Sequence, residues 1–118
     1  MRIDPESPVP PSEQVRQQVV DGVREGRFAA GTPLPTVRAL AADLGIAVNT
    51  AARAYRLLKI DAIIETFGRR GTFVAAQGDP VARALQSAAA EYARLAASLG
   101  VDQDTALSTV ASALGSRL

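Results

Sequence analysis

The sequence predicts a mostly helical chain with a small β-wing, an N-terminal winged helix-turn-helix followed by a two-helix C-terminal hairpin. Three observations point there. Two helical patterns meet at Gly45, a turn rich in Gly and Arg follows between two β-prone segments, and an apolar seam runs through the last third of the chain. The expected division is an extended arm over 1–11, a winged helix-turn-helix over 12–77 and a two-helix dimerisation tail over 78–118.

Residues 1–11 carry four prolines, at 5, 8, 10 and 11, which remove amide donors and favour an extended arm. A first helix is expected from about Ser12 to Glu25, with Val15, Val19 and Val23 on one stripe, and Gly26 and Gly31-Thr32-Pro33 lead out of it. Thr32 to Leu34 is a candidate extra strand for the wing. The second helix covers Thr36 to Leu44, where Val37, Leu40, Ala41 and Leu44 share a face, Thr36 is the N-cap and Gly45 closes the last turn.

The third helix runs from about Val48 to Ile60 and buries Ala51, Ala54, Tyr55 and Leu58. On its opposite side fall Asn49, Arg53 and Arg56. Asn pairs bidentately with adenine and Arg with guanine or phosphate, so this composition suits a helix that reads the major groove; a solvated polar surface is the other reading. Ile63 to Thr66 and Thr72 to Val74 then form a β-hairpin around Phe67 to Gly71. Its turn presents Arg69 and Arg70 toward a phosphate backbone or a narrow minor groove, or simply toward water.

In the tail, Val81, Leu85, Ala88, Tyr92, Leu95 and Leu99 alternate four and three apart from Pro80 to Leu99, the seam of a helix that packs along another helix. Gly100 ends it. After the cap candidates Asp102 and Asp104, Leu107, Val110, Ala111 and Leu114 mark a second, shorter helix. Two such helices cannot enclose a core, so the expected partner is the same hairpin from a second chain; folding back on its own domain is the alternative. The alanines at 88, 89, 93 and 96 leave room for an apolar ligand or allow close helix approach.

Composition agrees with one modest core: 118 residues, 47% hydrophobic, only 4% aromatic. There is no cysteine and no histidine, hence no disulfide framework and none of the usual transition-metal ligands, and no metal or cofactor is expected. No nucleophile-base pair, paired-acid motif or phosphate loop appears, so an enzyme is not expected. Lacking a leading apolar run or one near 18 residues, the chain is expected in the cytoplasm and not in a membrane. The net charge is only +1, but residues 36–74 hold six basic residues (Arg38, Arg53, Arg56, Lys59, Arg69, Arg70) against Asp43, Asp61 and Glu65.

The run Leu34-Pro35-Thr36-Val37-Arg38 with Leu40-Ala41, then Asn49-Thr50, Ala54-Tyr55, Ile64-Glu65-Thr66 and Gly71-Thr72-Phe73-Val74, resembles the DNA-binding domain of GntR-family transcription regulators. The match spans roughly Pro11 to Ala75. It implies operator contacts at Arg38, Asn49, Thr50 and Gly71, and Thr36 joins them as a candidate beside its capping role. Ala47 departs from the polar cap common in the family, Ala62 from its Asp-Gly pair, and Ser12 from a common aromatic. A tail of about forty residues resembles the small YtrA-type branch, which implies repression, often of neighbouring transporter genes.

The expected function is therefore sequence-specific binding of double-stranded DNA, as a homodimeric repressor on a palindromic operator. A winged-helix protein-interaction module with weak DNA affinity is the alternative, and a small-molecule effector, if there is one, is not marked by any sequence feature.

Overall fold

Val15 and Val19 have no exposed surface, which makes them the line along which helix α1, Pro11–Arg24, meets the rest of the core. The computed structural model describes residues 1–115. Helix α1 starts one residue earlier than its pattern predicts, because Pro11 occupies the first helical position, where its missing N–H is no loss. The arm before it is not extended throughout. The chain turns between Asp4 and Ser7, whose amide donates to the Asp4 carbonyl at 3.2 Å, and lies back on α1. Prolines leave nearby peptide groups without ladder partners, and two glutamines on α1 supply them. The Asp4 amide donates to Gln14 Oε1 at 2.8 Å while Gln14 Nε2 donates to the carbonyls of Asp4 and Val9; Gln18 takes both polar groups of Arg2 in the same way. Ile3 packs against the core as a result.

Helices α2, Val37–Leu44, and α3, Val48–Ile60, follow the predicted stripes. Leu40, Ala41, Ala51, Ala54, Tyr55 and Leu58 join the α1 valines in a single buried cluster, and the alanines let the helix axes come close. Thr36 caps α2 by accepting from the Ala39 amide at 3.1 Å. The Tyr55 hydroxyl donates to the Pro35 carbonyl at 2.7 Å, tying α3 to the segment that leads into α2, and burial pushes its pKa up to about 12.

The sheet is antiparallel in the order β1-β3-β2, from Pro33–Leu34, Thr72–Val74 and Ile64–Thr66. Leu34 lies opposite Thr72, and Ile64 opposite Val74. The proline stands on the edge strand, where no ladder donor is needed. Ile63 does not begin β2 as its apolar character suggests. Its amide closes the end of α3 on the Leu58 carbonyl at 2.9 Å, while the Ala62 amide reaches the Lys59 carbonyl at 3.0 Å. This closure holds Ala62 at φ 57, the only non-glycine residue with positive φ among the described residues, whereas the equivalent closure of α2 uses Gly45. A Cβ in that region costs about 1 kcal/mol or more. Ala62→Gly is therefore expected to raise stability by about 1 kcal/mol, seen as a rise of a few degrees in Tm. An unchanged or lowered Tm in a thermal melt counts against strain at this turn.

The tail forms α4, Pro80–Ser98, and α5, Gln103–Gly115, capped by Asp79 on the Ala82 amide and by Asp102 on the Thr105 amide, both at 2.8 Å. Of the two cap candidates Asp102 is the cap, and Asp104 lies in the first turn. Tyr92 does not project from the seam as a free anchor, since its hydroxyl donates to the Ala106 carbonyl at 2.8 Å and joins the two helices. A second glutamine pair fixes the junction with the winged domain. The Gln77 amide donates to Gln86 Oε1 at 3.0 Å, Gln86 Nε2 donates to the Gln77 carbonyl at 2.6 Å, and Gln77 Nε2 reaches the carbonyls of Ala62 and Ala75. Helix α4 also passes so close to Gly31 that a Cβ there would lie 2.6 Å from that of Ala90.

Candidate nucleic-acid interface

Burying Ala51, Ala54, Tyr55 and Leu58 leaves α3 one free side. Asn49, Arg53 and Arg56, spaced i, i+4 and i+7, are all exposed on it, as the sequence predicts, and Thr50 is half-buried beside them. The N-terminus of α3 points its positive dipole end outward without competition: the N-cap is Ala47, with no side-chain hydrogen bond to the first-turn amides. Those amides and the helix dipole together suit a phosphate oxygen.

Helix α2 lies against α3 and exposes Arg38 at its second residue. Beyond α3, residues Gly68–Arg70 form a 3₁₀ turn at the tip of the wing, with Arg69 and Arg70 exposed and Gly71 at φ 104. The Arg70 guanidinium lies 5.9 Å from the centre of the Phe67 ring, which in turn packs at 5.9 Å on Phe73. That aromatic support for the turn is a feature sequence reading missed. Its signal was the pair of phenylalanines flanking the Gly-Arg-Arg-Gly turn.

Among the described residues, none of Arg38, Arg53, Arg56, Arg69 and Arg70 forms an ion pair, whereas Arg16, Arg27 and Arg94 each have a carboxylate partner. Within the same residues Arg2, Arg24 and Arg83 are also free of ion pairs, so lack of pairing alone marks nothing. What distinguishes the five is their placement on consecutive elements of one motif. Asp61, at the far end of α3, is held 3.7 Å from Arg16 of α1. Thr36 spends one lone pair on its cap and keeps its hydroxyl proton.

In the tail, Val81, Leu85, Leu95, Leu99, Leu107, Val110 and Leu114 are exposed, with Leu85 and Leu99 both at 67%. Ala88 is exposed as well, and no residue of α4 or α5 is buried. The hairpin therefore does not cover its seam on its own winged domain. Among the described residues no helix is long and apolar enough to cross a membrane, and no cluster of acidic residues is arranged to hold a metal ion.

Residues 11–74 match the family described as bacterial regulatory proteins, gntR family. The chain is 49% identical over 107 residues, 91% of its length and 88% of the relative's, to the HTH-type transcriptional regulator Rv1152 of Mycobacterium tuberculosis. It is 39% identical over 74 residues, 63% of its length and 57% of the relative's, to the HTH-type transcriptional repressor YtrA of Bacillus subtilis. Among solved structures it resembles YtrA from Sulfolobus acidocaldarius, a GntR-family transcription factor, with a TM-score of 0.61 at 23% identity over 99% of this chain and 98% of that one.

Proposed function

Because the chain belongs to the gntR family of bacterial regulatory proteins and is a transcription regulator with a DNA-binding domain, not an enzyme, we propose that it is a repressor that binds a palindromic operator as a homodimer. The observation that carries the DNA reading is the exposed face of Asn49, Arg53 and Arg56 on α3, followed by the exposed Arg69–Arg70 wing. In this reading α3 enters the major groove, Asn49 and Arg53 meet base edges, and Arg56 and Thr50 meet the groove wall. Thr36, Arg38 and the Gly71 turn serve the phosphate backbone. Residues 12–77 are the DNA-binding unit and residues 78–118 the dimerisation unit.

The homodimer is supported by the uncovered seam of α4 and α5, since an isologous contact between two hairpins would bury both stripes at once and give the pair the two-fold symmetry of a palindrome. Repression is supported by the relative named a repressor, matched over 57% of its length. In vitro selection of bound DNA tests the reading directly. A single inverted repeat with fixed half-site spacing is the expected product; random recovery favours a winged-helix protein-interaction module instead.

At the wing, replacing Arg69 and Arg70 together by Ala is expected to weaken operator binding at low salt and to lower the slope of log affinity against log salt by about two units. Stability should stay within about 0.5 kcal/mol, because both side chains are exposed at a turn. An unchanged affinity across a salt series assigns the pair to solvated surface.

A further inference from the structure

We propose that the cleft between the wing and α4 is a binding site for a small aromatic zwitterion, a molecule with the chemistry of a free aromatic amino acid, and that its occupancy weakens operator binding by engaging Arg70. The regulatory part rests on the DNA-binding reading above; the binding part does not. The cleft has a volume of about 320 Å³, at the lower end of the range that holds small ligands. One wall is the wing and the other is α4, and they converge where Gly31 lets Ala90 approach.

Aromatic character comes from Phe67 and Phe73. Their rings are 5.9 Å apart and tilted by 47°, and Phe67 is left 48% exposed although it lies in the cleft wall. A flat apolar body entering between the wing and α4 would take that ring out of water and offer it a stacking partner. The charges then define the rest of the molecule. Glu65 and Arg70 line the cleft from the wing, Glu91 and Arg94 from α4. Glu91 and Arg94 satisfy each other as an i, i+3 pair, whereas Glu65 and Arg70 form no ion pair among the described residues. One carboxylate and one guanidinium are thus without an opposite charge, the guanidinium lying only against the Phe67 ring, in a lining that is neutral as a whole. A simple anion or a simple cation would answer only one of them, but an ammonium for Glu65 and a carboxylate for Arg70 answer both.

Arg70 is also a proposed backbone contact of the wing, so a carboxylate drawn into the cleft competes with phosphate for the same guanidinium. The proposed dimer and the cleft share Ala88. At about 100° per residue along α4, the other cleft residues Ser87, Ala90, Glu91 and Arg94 centre roughly 130° from the seam of Leu85, Tyr92, Leu95 and Leu99, so most of this wall faces away from the dimer contact.

The full chain, labelled with ¹⁵N, is titrated with three probes: L-phenylalanine, 3-phenylpropanoate, which lacks the ammonium, and 2-phenylethylamine, which lacks the carboxylate. The expected result is saturable shifts for L-phenylalanine confined to residues 64–74 and 87–94, with both analogues about tenfold weaker or more. Glu65→Gln should weaken L-phenylalanine by about tenfold and leave 3-phenylpropanoate unaffected, and Ser87→Trp should fill the cleft and block all three. Both substitutions fall at exposed positions, and the amide spectrum of each free variant reports whether it is folded. Saturating L-phenylalanine should weaken operator binding several-fold, and not in Ser87→Trp. Absent or scattered shifts, equal affinity for the three probes, or indifference to both substitutions overturns the site. Saturable binding in the cleft with no effect on operator affinity overturns its regulatory role alone.

Discussion

Leu95→Glu is expected to convert the proposed dimer into a folded monomer whose affinity for a two-half-site operator is lower by a factor of about 10² or more. Leu95 lies mid-seam on α4 and is 55% exposed in the single chain, so a carboxylate there costs the fold of one chain little. Pressed against a second hairpin, the same carboxylate enters an apolar contact with no partner and must be desolvated or excluded. The weaker binding then follows from avidity. Two linked DNA-binding units make engagement of the second half-site effectively intramolecular, which is worth about 10² to 10⁴ in affinity, and a monomer forfeits that gain while gripping the first half-site as before. Sedimentation gives the oligomeric state, and anisotropy on whole and half operators separates avidity from damage to the proposed reading helix α3. Half-operator affinity should be unchanged. A wild-type chain that is monomeric at micromolar concentration, or a Leu95→Glu chain that stays dimeric with normal affinity, removes the tail from the dimer interface.

The stripes Val15 and Val19, Leu40 and Ala41, and Ala51, Ala54, Tyr55 and Leu58 were legible because helical periodicity reports burial directly, and these positions are buried as their spacing predicts. The exposed face of Asn49, Arg53 and Arg56 followed as their complement. What the sequence did not disclose depends on side chains whose partners are backbone groups far away in the chain. Gln14, Gln18, Gln77 and Gln86 look like solvated residues, yet they hold the arm against α1 and join α4 to the winged domain through peptide groups that proline-rich or linker segments leave unpaired. Glutamine carries both a donor and an acceptor, so it can satisfy an N–H and a C=O of one residue, and no hydrophobic pattern records that use. The cleft beside the wing escaped for a related reason: Glu65, Phe67 and Arg70 meet Glu91 and Arg94 only because Gly31 and the Gln77–Gln86 pair set how α4 lies. Ala62 was the opposite case. Its departure from glycine was visible in the sequence, and the positive φ that makes it costly is what the structure supplies.

Asn49→Ala is expected to cost about 1 to 3 kcal/mol on the preferred operator and little on random DNA, while Arg38→Ala should weaken both. The two residues differ in what their positions let them reach. Asn49 is the second residue of α3, exposed on the same face as Arg53 and Arg56, and its carboxamide makes no hydrogen bond among the described residues, so donor and acceptor together are available to an adenine edge. Removing it takes away a bidentate interaction that depends on the base, and the effect appears as lowered discrimination. Arg38 lies in the first turn of α2, the helix that crosses the backbone in this kind of motif, and a guanidinium on phosphate carries no sequence information. Its removal should lower the slope of log affinity against log salt by about one unit, as expected when a single cation no longer neutralises a phosphate. Both side chains are exposed, so neither change should move stability by more than about 0.5 kcal/mol, and a thermal melt separates recognition from folding. Equal weakening on operator and random DNA for Asn49→Ala would place that residue on the backbone, and a salt slope unaltered by Arg38→Ala would take Arg38 off the phosphates.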